Sequence, residues 1–135
     1  MNAGIAIDTN VLVRWLVQDD PVQSAVASRL MATAEERGVP VMLLFGVVLE
    51  TEWVLRSRYK LDKHAIVSAF TQLLETDGLQ LEDEAALEEA LFRWKESKAG
   101  FTDCMLAAKA GLLQRQPFMT FDAAAAQLPG AQLLR

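Results

Sequence analysis

The stretch Gly4-Ile5-Ala6-Ile7-Asp8-Thr9-Asn10-Val11-Leu12-Val13-Arg14-Trp15-Leu16 begins as a short apolar run, stops at an acid, and resumes with a different period. Ala3 to Ile7 suits a buried first strand, and Asp8, Thr9 and Asn10 are all good N-caps for a helix beginning near Val11. Val41 to Phe45 and Phe118 to Phe121 repeat the short apolar pattern, and Leu79 to Leu81 and Ala131 to Leu134 repeat it more weakly. Between these runs the period is helical. Val22, Val26 and Leu30 fall at i, i+4 and i+8 after Asp20 as N-cap and Pro21 at the first helical position. Ile66, Phe70, Leu73 and Leu74 form a stripe after Asp62, with Gly78 beyond it; Leu87, Ala90, Leu91 and Trp94 form another, behind Glu82, Asp83 and Glu84 at the favoured end of the helix dipole. Strands separated by helices require right-handed crossovers and a parallel sheet. The expected fold is therefore α/β: a three-layer α/β/α domain with a central parallel sheet of four to five strands, occupying residues 1–135 as one domain.

Composition sets the class. Apolar residues make up 52% of the 135 and charged residues 23%, which is globular and not disordered. Cys104 is the only cysteine, so an intrachain disulfide framework is excluded and a reducing, cytoplasmic setting is expected. The longest apolar run, Val39 to Leu49, is interrupted by Pro40 and Gly46 and falls short of a bilayer span; MNAGIAID lacks the basic start and apolar stretch of a secretion signal. Thirteen basic against 18 acidic side chains give a net charge of −5, the reverse of a simple nucleic-acid clamp, although two bound divalent cations would bring −5 to −1.

The acids themselves are informative. Asp8 and Asp122 each close an expected strand, Glu50 lies in the otherwise apolar LLFGVVLETEWVL, and Asp103 lies near the start of a helix of small apolar residues. Each therefore sits where a strand gives way to a helix, and in a parallel sheet such junctions converge on one edge, where ligands of these folds bind. Taken singly, Asp8, Asp103 and Asp122 could be helix caps. Glu50 could be an ion-pair partner of Arg14 or Arg56, and Glu52, about 200° away around the helix, could be the buried acid instead. Taken together they exert a strong demand. Two carboxylates about 6 Å apart at an effective dielectric near 20 repel by roughly 3 kcal/mol, so four gathered without counter-charge cost on the order of 15 kcal/mol. That rivals the stability of a whole domain, about 5–15 kcal/mol. Protons or divalent cations must relieve it. With one His and one Cys in the chain, the donors are oxygens, which suits Mg²⁺ or Mn²⁺ and excludes a thiolate or His-rich zinc site. Such an ion acidifies water and stabilises charge on a transferring phosphorus, which points to phosphoester hydrolysis.

IDTNVLVRWL, LLETEWVLRS, GFTDCMLAAKAG and TFD, in this order, resemble the PIN-domain ribonucleases, most closely the VapC-type toxins of toxin–antitoxin modules. The resemblance runs from Asp8 to the C-terminus and implies a Mg²⁺- or Mn²⁺-dependent endoribonuclease, a homodimer, and a VapB-type antitoxin whose C-terminal segment occupies the acidic groove. It matches Asp8, Asp103 and Asp122 to the family's acids, and it selects Glu50 over Glu52 because Trp53, Val54 and Leu55 follow Glu50 in the family's pattern. Thr9, Asn10 and Thr120 match the polar positions expected to orient a carboxylate or bound water. One departure is Gly100, where many members carry a further acid; it implies a weaker second metal position.

Arg14, Arg56, Arg58, Lys60, Lys63, Lys95 and Lys98 are the basic side chains expected to meet an RNA backbone, since phosphate contacts need charge and not sequence readout. His64 reads as a surface residue, and Trp15, Trp53 and Trp94 as core or dimer contacts. Two other classes compete. A haloacid-dehalogenase-like phosphatase also begins with Asp after its first strand but needs a second Asp where Asn10 stands. A non-catalytic α/β binding module would use the acids as caps alone.

Overall fold

Ile5 and Ala6 form the first strand, β1, and their pairing shows how tightly the chain start is held. The Ile5 amide donates to the Pro40 carbonyl at 2.9 Å. Gly4 makes that approach possible: its φ is +129°, and a Cβ there would lie 2.7 Å from the Pro40 oxygen. The computed structural model describes residues 3–135. No helix among the described residues is long and apolar enough to cross a membrane.

The chain divides into two compact units, the first ending at Glu82 and the second running from Asp83 to Arg135. In the first, β1 is followed by α1 (Thr9–Val17), α2 (Pro21–Glu36), β2 (Val41–Leu43), α3 (Phe45–Ser57), α4 (Lys63–Glu75) and β3 (Leu79–Leu81). The three strands are parallel in the order β1-β2-β3, with Ile5 opposite Val41 and Leu43 opposite Leu81. Parallel pairing brings the carboxyl ends of β1 and β2 to the same edge, and α1 and α3 start there. Leu12, Leu43, Leu55, Ile66, Phe70 and Leu73 form the fully buried centre of this unit. Asp20 caps α2 by accepting from the amides of Val22 and Gln23, with Pro21 beside it, as the sequence predicts. Asp62 caps α4 by accepting from Ala65 N.

The face on which α2 packs differs from the ordinary meaning of its apolar stripe. Val22 is 74% exposed and Val26 55%, whereas Ser24, Ala27, Met31 and Ala34 are buried. Small residues explain the reversal. Ser24 and Ala27 let α2 approach α1 closely, and the Ser24 hydroxyl donates to the Arg14 carbonyl at 2.8 Å. The bulkier aliphatic stripe is left facing water.

The second unit contains α5 (Glu84–Glu96), α6 (Phe101–Leu112), β4 (Phe118–Thr120), a 3₁₀ turn (Ala125–Gln127) and β5 (Ala131–Leu133). Ala86, Leu87, Ala90, Leu91 and Trp94 of α5 are all buried, matching the predicted stripe, and Phe101, Cys104 and Met105 of α6 are buried with them. Trp94 and Phe101 meet edge to face at 5.1 Å between centroids. Asp83 pairs with Lys109, which ties the start of α5 to α6. β4 and β5 are parallel, with Met119 opposite Gln132.

The fold class is α/β with parallel strands. All five predicted strands are present, but among the described residues they bond as a three-stranded and a two-stranded ladder, not as one sheet of four or five. β1 is only two residues long, and both pair with β2.

Candidate functional site

Two of the predicted acids lie in each unit. In the first, Asp8 follows β1 in extended backbone and is the N-cap of α1, its Oδ1 accepting from Val11 N at 3.0 Å. The cap expected of an Asp at this position is therefore real, but it engages one carboxylate oxygen. Thr9, buried as the first residue of α1, donates from Oγ1 to Oε1 of Glu50 at 3.0 Å. Glu50 is on the exposed side of α3. Thr9 thus links the segment after β1 to the acid on α3.

Glu52 answers the alternative raised by the sequence. It is the buried acid, 2% exposed, and Arg56 one turn later donates to it at 2.7 and 3.4 Å. That bond holds the Arg56 guanidinium above its ordinary pKa. Glu52 is a structural carboxylate with its own cation; Glu50 is the one that faces solvent beside Thr9.

Arg14 is also engaged. Its Nε donates to Gln23 at 2.7 Å, and one terminal nitrogen reaches the Tyr59 hydroxyl at 2.8 Å and Asp19 at 3.3 Å. Tyr59 in turn donates to Asp19 at 2.8 Å. The hydrogen bond that Arg14 donates to Tyr59 leads the causes that raise the Arg14 pKa, and burial leads those that raise the Tyr59 pKa. This network ties α1, the loop before α2 and the end of α3 together. Nothing in the sequence signals it, because its members are 5 to 45 residues apart. Of the predicted RNA-contact residues, Arg58, Lys60 and Lys98 face solvent, as do Lys63, Lys95 and His64. Asn10 is exposed on the rim of a groove it shares with Asp8, Val11, Val22, Val26 and Leu30.

A second acid that sequence reasoning missed is Glu82. Its Oε1 accepts from Phe45 N at 2.7 Å and so caps α3, whose N-cap Leu44 has no side chain able to do it. By sequence Glu82 groups with the helix after it; strand pairing of β2 with β3 brings it back to α3.

In the second unit the two acids differ from each other. Asp122 follows β4; its Oδ2 accepts from Ala125 N at 2.8 Å, and its own amide donates to Thr120 Oγ1 at 3.0 Å. Thr120 therefore fixes the backbone that carries the carboxylate. Asp103 is not a cap. The N-cap of α6 is Gly100, no side chain caps that helix, and Asp103 stands in its first turn, half-buried. Burial raises the Asp103 pKa, and the charge of Asp122 raises it further. A helix start favours negative charge, so a carboxyl pushed the other way there marks desolvation and like charge outweighing the dipole.

Among the described residues no three His, Cys, Asp or Glu side chains form a metal-holding group. The donor chemistry nevertheless fits a hard cation. Asp103 and Asp122 are oxygen donors, Asp103 close enough to feel the charge of Asp122; Cys104 is buried, and no cation pairs with Asp103 among the described residues. Around Gly100 there is open space: a Cβ there would meet nothing within 4 Å.

No curated protein matches this sequence. The PIN domain family, a nuclease fold whose members typically use divalent metal ions, matches residues 5–131, from the first strand to the last and across all four acids. The chain belongs to the PIN-domain family.

Proposed function

We propose that this protein is a Mg²⁺- or Mn²⁺-dependent endoribonuclease of the VapC toxin type, held inactive by a VapB-type antitoxin. The observation that carries the reading is Asp103: a half-buried carboxyl with no capping duty, its charge opposed by burial and by Asp122. Folding gains nothing from that arrangement unless a cation offsets it.

In this reading Asp8, Glu50, Asp103 and Asp122 are the side chains that would hold the ion. When bound, it supplies an acidified water and charge stabilisation on the phosphorus and leaving oxygen. The chain's own residues prepare for it. Thr9 holds one oxygen of Glu50, Thr120 holds the backbone of Asp122, and the caps made by Asp8 and Asp122 each leave a second carboxylate oxygen for the ion. Asn10, beside Asp8, is placed to bind water or substrate oxygen. Arg58, Lys60 and Lys98 are the solvent-facing cations that would meet the RNA backbone.

The antitoxin is the natural cover for the aliphatic stripe of α2. A peptide with apolar residues on Val22, Val26 and Leu30 and an Arg or Lys directed at Asp8 would satisfy both surfaces. Half-exposed Trp53 is an apolar side chain that a second copy would cover in the homodimer. The test is cleavage of a panel of structured and unstructured RNAs with Mg²⁺ or Mn²⁺, with EDTA, and by the Asp103→Asn protein. Cleavage only in the first condition supports the reading; equal cleavage in all three overturns it. A trapped aspartyl phosphate on Asp8 would favour the phosphatase class instead.

A further inference from the structure

We infer that Phe121 is a stacking platform for an unpaired base of the RNA substrate, next to the cut. The inference rests on the ribonuclease reading above and adds how an acidic protein gains affinity for RNA. Phe121 is 78% exposed, the most exposed large apolar side chain among the described residues. It therefore contributes almost nothing to the core. Its position is nevertheless tightly set. The preceding residue, Thr120, ends β4 and accepts from the amide of Asp122; Asp122 accepts from Ala125 N through its side chain and from Ala126 N, at 3.0 Å, through its carbonyl. The ring is carried on a turn bonded on both sides, one residue from a proposed metal ligand.

Its neighbours extend the surface. Met119, in the middle of β4, is 42% exposed. Leu134, whose amide donates to the Thr120 carbonyl, comes alongside from the end of β5 and is 44% exposed. An aromatic ring with flanking aliphatic side chains offers a base a flat face and an apolar edge. Charge argues for such an occupant. The chain carries a net −5, so away from the ion its attraction to the RNA backbone is weak, whereas stacking is uncharged and open to every base. Single-stranded RNA exposes its bases for this contact; a duplex does not.

The test compares wild type, Phe121→Ala, Phe121→Leu and Phe121→Trp in cleaving one single-stranded RNA of mixed sequence, and versions of it with an abasic nucleotide at successive positions. Loss of one stacked base predicts that Phe121→Ala raises KM about 5- to 100-fold with kcat nearly unchanged. Phe121→Trp should behave as wild type, and Phe121→Leu, apolar but without a π-face, as Phe121→Ala. One abasic position should raise KM for wild type and have no further effect on Phe121→Ala. An unchanged KM in Phe121→Ala, or equal abasic penalties in both proteins, overturns the inference. So does a Phe121→Ala protein that falls from dimer to monomer in sedimentation while keeping its KM, since the face would then be a contact between copies. Failure of wild type to cut any RNA would remove the ribonuclease reading but not leave Phe121 undecided: quenching of Phe121→Trp emission by the same RNA in excess of that of wild type, which shares Trp15, Trp53 and Trp94, supports stacking, and no excess overturns it.

Discussion

Asp8 and Glu50 in the first unit and Asp103 and Asp122 in the second are equivalent as acids and unequal as folded residues. Asp8 starts α1 with a cap, Glu50 accepts a hydrogen bond from Thr9, and Asp122 leads into a 3₁₀ turn. Each of these carboxylates has a structural duty compatible with holding a cation through its other oxygen. Asp103 has none: its helix is capped elsewhere by backbone geometry alone, and its pKa is raised first by burial and then by Asp122. A carboxyl that local structure does not need, in a place that opposes its charge, is the one on which the proposed function rests. The other three would be well placed in a protein with no activity at all.

The largest effect comes from this inequality. On the proposed reading, a bound ion would contribute several kcal/mol of transition-state stabilisation, so Asp103→Asn should reduce RNA cleavage on the order of 100- to 10,000-fold. Asp8→Asn should lose a comparable amount, because Asn keeps the cap and loses the charge. The two should separate on folding: Asp103→Asn is expected to raise the melting temperature in EDTA, and Asp8→Asn to leave it nearly unchanged. A melting temperature lowered by Asp103→Asn would place that carboxyl among the structural ones.

Next in size is a contrast between two neighbouring arginines that look alike in sequence. Arg56 neutralises buried Glu52, whereas Arg58 faces water. Arg56→Ala leaves a carboxylate at 2% exposure without its cation; since the guanidinium is itself 54% exposed, the expected loss lies below the roughly 3–5 kcal/mol of a wholly buried pair. Arg58→Ala should leave stability intact and weaken RNA binding, lowering the slope of log affinity against log salt by somewhat less than one. Denaturant titration of both variants and RNA binding at several salt concentrations measure the contrast, and swapped results would reverse the two assignments.

The same contrast shows what sequence can and cannot reveal. Strand positions, the Asp20–Pro21 start of α2, the Asp62 cap and the α5 stripe are all legible, because period and capping are local. The packing face of α2 is not, since period alone allows either the aliphatic stripe or the Ser24–Ala27–Met31–Ala34 face, and close approach to α1 selects the small one. Of the candidate site, the sequence nominates the acids and Thr9 by their positions, and the hydrogen bond from Thr9 to Glu50 joins two of those residues. The duties of Glu82, Arg14 and Tyr59 are not, because each depends on partners brought near by strand pairing or helix packing. Asp103 misleads for the opposite reason: Thr102 and Asp103 are good caps by type, but α6 starts two residues before Asp103, at Phe101.

A smaller effect separates cap from charge within Asp8. Asp8→Ala should be as inactive as Asp8→Asn and in addition lose about 0.5–2 kcal/mol, because Val11 N no longer has its acceptor. Equal stability of the two variants in urea would mean that backbone geometry, not the carboxylate, starts α1.

The smallest expected effect tests the origin of the inequality itself. The folded pKa of Asp103 lies above the ordinary value of 3.8, so the metal-free folded state holds this proton more tightly than the unfolded chain. The stability owed to this group is therefore fully present below the ordinary value and is lost as pH rises through the raised one. Asp103→Asn has no such loss. In EDTA the stability difference between Asp103→Asn and wild type should thus grow in favour of the variant as pH rises through that window, then stay constant towards neutrality. Saturating Mn²⁺ should oppose this trend in wild type alone, since a ligand that binds only the folded state adds stability by mass action and the variant lacks one of its donors. Parallel pH curves in EDTA would show that burial of Asp103 carries no cost, and an equal Mn²⁺ gain in both proteins would show that the ion is held without it.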